Sequence, residues 1–452
     1  MNLIRMALSL HVRLRAQEPS PSTPPAPFTA SLAVLALVLG LVCACPVARA
    51  SAWTQEAYVW QRSPLPVLAL AAQEGARLGA EPDGVALLAA EVSWRGGRAE
   101  PVYSEIDYSS ALLRGCGRVA LVLRAGPFSG PFDAGAPACV SLRGVLREVL
   151  RRARAGGLEP AELQVDFDCA EARLAGYAEW LRALRADCGG LPLHFTALPS
   201  WLGRPAMEGL AASADGFVLQ VHALEKPSSP GAISPLCEPE RALGWVRRAG
   251  ALGRPFRVAL PTYGYLLAFS SEGRLLGFTG GSRLPSWPAD ALLRELRADE
   301  AEMAELARRL RADHPDSCVG LLWFRLPAAG DALNWRWPAL AEVLRGGGPA
   351  ALPRVKCIRK SDTTWELVLS NAGTASCVPP AEFTVSWPAG LRVAGADALG
   401  GATLRLVPGT RRALFTLPAR EGAPLRLDPG RSLTLGWLRL EGEGSPLVEP
   451  AN

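Results

Sequence analysis

The sequence predicts a (β/α)8 TIM barrel followed by a small C-terminal β-sandwich, and two observations carry that expectation. From Ala57 to Leu344, eight short apolar runs alternate with amphipathic helical stretches; beyond residue 350 the helical period vanishes and short alternating runs separated by Gly, Pro, Asn and Asp take over. The composition agrees with a globular chain of more than one domain: 452 residues, 49% apolar and 20% charged. With 48 basic against 43 acidic residues the net charge is only +5, and the arginines are scattered rather than gathered into a stripe, which argues against nucleic acid.

In order, the predicted barrel strands are "AYVW" (57–60), "GVALLAAEVSW" (84–94), "VALVLRAG" (119–126), "LQVDFDC" (163–169), "LPLHFTALPSW" (191–201), "GFVLQVHALE" (216–225), "FRVALPTYGY" (256–265) and "CVGLLWFRL" (318–326). They are continuously apolar, as parallel strands covered on both faces are. Helices are expected over 65–78, 142–155, 172–186, 238–251, 289–311 and 337–344, with "PVYSEIDYSS" as a loop after the second strand. The chain lacks a Gly-rich nucleotide loop after its first strand, which disfavours an open doubly wound sheet. The expected organisation is an export segment over residues 1–50, the barrel over 51–346 and the sandwich over 355–446.

The run "SLAVLALVLGLV" (31–42), preceded by Arg5, Arg13 and Arg15 and followed by "CACPVARAS", reads as an export signal, with cleavage before Ser51 or lipidation at Cys45. An exported protein, periplasmic or held to the membrane by a lipid anchor, is therefore expected. The eight remaining cysteines show no zinc-type spacing, so structural disulfides are expected in that compartment, Cys357 with Cys377 first and Cys116 with Cys139 next. No metal and no cofactor are expected.

In such a barrel, chemistry sits where the strands end and the following loops begin. Polar residues at those positions give Asp168, Asp166, Glu91 and Glu225 as candidate catalytic carboxylates, and His194, Gln220, His222, Tyr263, Trp323 and Asp107 as candidate substrate contacts. Alternation along the fourth strand turns Asp166 and Asp168 the same way, with Val165 and Phe167 toward the helices. Two such carboxylates push one pKa upward and supply an acid beside a stabilising anion, the pairing that glycoside cleavage needs. The structural alternatives are a helix-capping Asp166, a core His194, a packing Tyr263 and a barrel-plugging Trp323.

"LQVDFDCA", "GFVLQVHALE", "VALPTYGY" and "VGLLWFRL" resemble the fourth, sixth, seventh and eighth strand motifs of chitinase-like (family 18 type) glycoside hydrolases. "AYVWQR", "QVDFDC" and "LPTYGY" are similar, more narrowly, to the bacterial family described as domain of unknown function 3142. The resemblance implies a carbohydrate ligand. It also exposes a departure: aligning the signature D-x-x-D-x-D-x-E on Asp166 and Asp168 places Leu163 at its first position and Ala170 at the proton-donating glutamate, with Glu171 one residue away. Two readings stay open, a hydrolase acting through Asp168 with a partner carboxylate, and a non-catalytic glycan-binding or structural envelope protein.

Overall fold

A computed structural model describes residues 53–281, 285–418 and 425–450. The expected signal segment, with Cys43 and Cys45, lies outside the described residues. In chain order the strands are β1 (Thr54–Val59), β2 (Gly84–Arg95), β3 (Arg98–Tyr103), β4 (Arg118–Ala125), β5 (Glu162–Phe167), β6 (Leu193–Ala197), β7 (Gly216–Gln220) and β8 (Phe256–Pro261). Then come β9 (Gly264–Phe269), β10 (Leu275–Thr279), β11 (Leu292–Arg297) and β12 (Cys318–Phe324). Eight of these, β1, β2, β4 to β8 and β12, run parallel and close through the pairing of β1 with both β2 and β12, which is the predicted barrel.

Around it lie α1 (Leu65–Leu78), α2 (Ala111–Gly115), α3 (Pro137–Ala155), α4 (Leu174–Arg185), α5 (Ala206–Ala212), α6 (Pro239–Gly250), α7 (Glu300–Ala312) and α8 (Trp337–Leu344). α1 and α8 have the predicted bounds. Their buried stripes, Val67 and Leu68 on α1 and Leu340 and Val343 on α8, pack against the outward residues of the strands.

Two stretches depart from expectation. The loop predicted after the second strand opens with β3, antiparallel to the end of β2. Gly96 and Gly97, at φ 54° and 73°, make the tight connection that the right-handed twist of a hairpin favours. The helix predicted over 289–311 starts only at Glu300, where Asp299 caps it by accepting from the amides of Ala301 and Glu302 at 2.9 Å. Leu292–Arg297 is instead strand, paired residue by residue with β9, while β10 pairs on the other side of β9. Tertiary pairing here overrides the helical propensity of "LLRELR".

The C-terminal region carries β13 (Pro353–Arg359), β14 (Thr364–Asn371), β15 (Glu382–Ser386), β16 (Leu391–Ala398), β17 (Thr403–Leu406), β18 (Arg412–Thr416), β19 (Ser432–Gly442) and β20 (Leu447–Pro450). They form two antiparallel sheets, β13-β14-β19-β16 and β17-β18-β15-β20. Leu367, Leu435 and Leu438 of the first and Phe383, Val385 and Phe415 of the second meet in one core, the predicted sandwich. It is tied to the barrel by Arg426–Glu295 at 2.5 Å and Arg336–Asp428 at 2.8 Å, and by the Ser376 amide donating to Glu300 Oε2 at 3.1 Å.

The disulfide expectation is corrected. All eight described cysteines are free thiols. Cys357 lies on β13 opposite Leu367 of β14, whereas Cys377 sits in a separate bridge to Leu427, its thiol donating to that residue's carbonyl at 3.9 Å. The Cys116 thiol donates to the Leu112 carbonyl at 3.1 Å, and Cys139 is buried on α3. These side chains pack locally as small apolar groups, as free cysteines in cores do.

Candidate functional site

Period-two alternation decides which side chains enter the barrel. On β5 the inward set is Glu162, Gln164 and Asp166, continued past the strand end by Asp168, while Leu163, Val165 and Phe167 are buried among the helices. The lower interior is ionic. Arg257 of β8 contacts Glu56 Oε2 at 2.6 Å and also pairs with Glu162; Arg118 pairs with Glu162 and lies 3.3 Å from Glu56 Oε1. His194 is spent in this cluster, with Nδ1 at 3.2 Å from Glu162 and 3.1 Å from Arg257, and does not reach the mouth. Burial raises the Glu56 carboxyl, whereas for Glu162 it is outweighed by Arg257, His194 and Arg118, which hold the group below its usual range.

Above this layer a cavity of about 360 Å³ opens at the C-terminal ends of the strands, within the size range of small-ligand sites. Asp166 and Asp168 lie at its side with Arg124, and Tyr58, Trp60, Phe324, Tyr263 and Tyr265 form an aromatic wall. Phe324 is the hub: its ring centroid is 5.1 Å from Trp60, 5.4 Å from Tyr263, 5.5 Å from His222 and 5.6 Å from Tyr58. Gln220 and Thr196 complete the polar lining, and Arg325, held by Asp331 at 2.5 Å, borders it.

The electrostatics divide the two aspartates. Asp166 has a side chain only 16% exposed, and its pKa rises to about 6 because burial and then the Asp168 charge disfavour ionisation, against the opposing pull of Arg124. Arg124 Nε is 3.8 Å from Asp166, and its Nη1 is 3.9 Å from Glu91. Asp168 is exposed at the rim. His222 is buried with its pKa lowered to about 3 by desolvation, so its imidazole is neutral. Its Nδ1 lies 3.2 Å from the Tyr263 hydroxyl, and its Nε2 has no partner.

Of the ten candidate residues, the structure therefore brings Asp166, Asp168, Gln220, His222 and Tyr263 together, and five lie elsewhere. Glu91 is drawn aside by Arg62, 2.5 Å away, and meets the site only through Arg124. Glu225 is half-exposed, 3.3 Å from Arg241, on a neighbouring cleft. Asp107 closes an exposed turn by accepting from the Ser109 amide and hydroxyl, and these hydrogen bonds lower its pKa. His194 belongs to the ionic layer. Trp323 is fully buried on the helix side of β12, 5.8 Å from Trp335 and donating to Gln55 Oε1 at 3.3 Å. On that strand parity selects Phe324, not Trp323, for the cavity.

Tyr58, Trp60, Arg124 and Phe324 are site residues absent from the candidates. Each shares parity with an inward neighbour, Arg124 with Ala120 and Val122, and Trp60 with Tyr58, so alternation was the signal that could have found them. Glu171, beside the vacant signature position at Ala170, is ion-paired with Arg204 and is not part of the cavity lining.

Residues 136–329 match the family model described as Domain of unknown function (DUF3142). This span holds "QVDFDC" and "LPTYGY", and with them β5 and β8. Solved structures similar to the chain include a chitinase from Chromobacterium violaceum ATCC 12472, at 14% identity and a TM-score of 0.43 over 65% of this chain and 99% of that one. They also include the spore cortex-lytic enzyme SleL from Bacillus megaterium QM B1551, at 12% and 0.41 over 67% and 76%, and a chitinase from Bacteroides thetaiotaomicron, at 10% and 0.44 over 66% and 97%. No curated protein sequence matches the chain.

Proposed function

We propose that the cavity takes a carbohydrate and that its two aspartates act on a glycosidic linkage, Asp166 as proton donor and Asp168 as the charged partner. The observation that carries this reading is the unequal pair itself: a buried carboxyl with a pKa of about 6 beside an exposed one, in an aromatic-walled mouth. Environments that push two carboxyls apart divide them into an acid and an anion. The aromatic faces suit the apolar faces of sugar rings, while Gln220, Arg124 and neutral His222 offer hydrogen bonds to hydroxyls. On this reading the apolar run over residues 31–42 directs export, which would place the site where extracellular or envelope glycans are met.

A second reading, a glycan-binding protein without turnover, is favoured by one observation: the donor position of the chitinase-type signature is Ala170, and Glu171 is engaged by Arg204. Screening the wild type, Asp166→Asn and Asp168→Asn against bacterial exopolysaccharide and peptidoglycan fragments separates the two. A hydrolase loses turnover in Asp166→Asn by at least about a hundredfold with binding kept. Ligand binding without turnover between pH 4 and 8 in the wild type supports the second reading and removes the first.

A further inference from the structure

A second cavity, of about 250 Å³, adjoins the first: Gln220 and His222 line both, whereas Asp166 and Asp168 line only the first. It lies between the segment that follows β6 and the start of α6, with Leu198, Pro199, Leu236, Cys237 and Trp245 among its walls. The Ala223 amide donates to the Leu236 carbonyl at 3.0 Å and ties the segment after β7 to the one before α6, so the space is preformed. Its chemistry differs from that of the mouth. Burial pushes the Cys237 thiol up to about 12, so the sulfur enters as a neutral, apolar group and not as a nucleophile. The charged residues at the rim are spent on one another, Arg241 lying 3.3 Å from Glu225 and 3.2 Å from Glu238. Arg241 also lies over the Trp245 ring, 5.1 Å from its centroid, while the indole otherwise packs on the barrel core. The face on which a sugar would stack is therefore occupied, and what the cavity offers is apolar volume.

The wall between the two cavities carries an unsatisfied group. Gln220 Nε2 donates to the His222 carbonyl at 3.0 Å and fixes that wall. His222 Nδ1 faces the Tyr263 hydroxyl at 3.2 Å. A phenol is the stronger acid and a neutral imidazole the stronger base, so Tyr263 donates and the ring proton rests on Nε2. That N–H is buried without an acceptor, a state that costs free energy until a ligand supplies one.

We propose that the second cavity takes the apolar chain of an acylated saccharide whose sugar sits in the first, with the carbonyl of the ester or amide link at the boundary accepting from His222 Nε2. A carbonyl is the acceptor that a polar-to-apolar boundary calls for, because it joins a sugar oxygen or nitrogen on one side to hydrocarbon on the other. The inference rests on the proposed function in placing a sugar in the first cavity, and it names the class of that sugar: one whose acyl group is longer than acetyl, since a lone methyl would leave most of the 250 Å³ empty.

Calorimetry of the full chain with N-acetyl-, N-butyryl- and N-hexanoylglucosamine is expected to show affinity rising about fourfold for each methylene added. Ala223→Leu, at an exposed position that lines the second cavity and not the first, is expected to flatten the series and leave N-acetylglucosamine binding unchanged. Hexanamide, which is the acyl group and its carbonyl without a sugar, gives a readout independent of the first cavity. It is expected to shift the Trp245 indole N–H resonance, identified with Trp245→Phe, in the wild type and not in Ala223→Leu. Glucosamines that bind with equal affinity, a rise that survives Ala223→Leu, or a Trp245 resonance unmoved by hexanamide overturns the proposal. So does an equal shift of that resonance by chitotriose, which would make the cavity a further sugar subsite. If no glucosamine binds while hexanamide shifts Trp245, the sugar reading fails and the acyl site stands.

Discussion

Replacing Asp168 with Asn is expected to lower the Asp166 pKa, and the size follows from strand geometry. Same-face neighbours on a strand lie about 6.7 Å apart. Two unit charges at that distance repel by about 2.5 kcal/mol at an effective dielectric of 20, and by about 1.2 kcal/mol at 40, the better value for a partner as exposed as Asp168. At about 1.4 kcal/mol per unit, the shift is about 1–2 units downward. Starting from about 6, the midpoint falls to about 4–5, so the protonated fraction at pH 6 drops from about a half to between about a tenth and a hundredth. Carboxyl titration reads the shift directly. If Asp166 supplies a proton, the alkaline limb of the kcat/KM profile moves down by the same amount, and part of the loss at pH 6 is recovered by assaying near pH 4. A midpoint that stays near its original value, or rises, would refute the coupling and leave burial as the sole cause.

Three further outcomes are expected. Arg257→Met leaves the buried Glu56 and Glu162 short of their main cation and is expected to cost about 3–5 kcal/mol in urea unfolding at pH 7; a cost below about 1 kcal/mol would show that Arg118 and His194 suffice. Glu300, half-buried where the sandwich meets the barrel, has its pKa raised to about 7 by desolvation, against the Ser376 amide, Arg297 and Arg426. For an acid raised above its unfolded value, the stabilising contribution is present below about pH 4.5 and lost as pH climbs through about 7, so Glu300→Gln is expected to raise Tm at pH 8 by on the order of 1–2 °C without raising it at pH 4. Trp323→Ala is expected to cost about 3–5 kcal/mol of stability, while Phe324→Ala, in the cavity wall, weakens carbohydrate binding measured by calorimetry more than it weakens the fold; equal loss of binding in both would contradict the assignment of faces.

The barrel was legible because eight buried parallel strands leave an unmistakable run of apolar segments, and the paired Asp166 and Asp168 were legible because alternation is a local property. What escaped was set by partners far along the chain. Glu91 and Glu225 have the right residue type at the right height, and only the positions of Arg62 and Arg241 take them away from the cavity. His194 is inward, but nothing local announces that Arg257 and Glu162 will claim it. Trp323 differs in kind: its residue type suits a sugar, but strand parity turns it to the helices and brings Phe324 to the cavity. Strand β11 hid behind a leucine-rich helical composition, whereas "RGGR", the tight turn of the β2–β3 hairpin, was an available local signal.

The charged lower layer of the barrel bears on the order in which the chain is made. Glu56 and Glu162 emerge from the ribosome before Arg257, and Arg257 follows Glu56 by 201 residues. At about 5–20 residues per second, the interval is on the order of 10–40 s. Arg118 alone neutralises one of the two carboxylates, so until the seventh barrel strand appears the nascent interior holds an uncompensated negative charge that keeps water in. Closure itself waits for β12, which pairs with β1 and β8, and a truncated chain ending before Phe256 is expected to expose these carboxylates and remain open to protease.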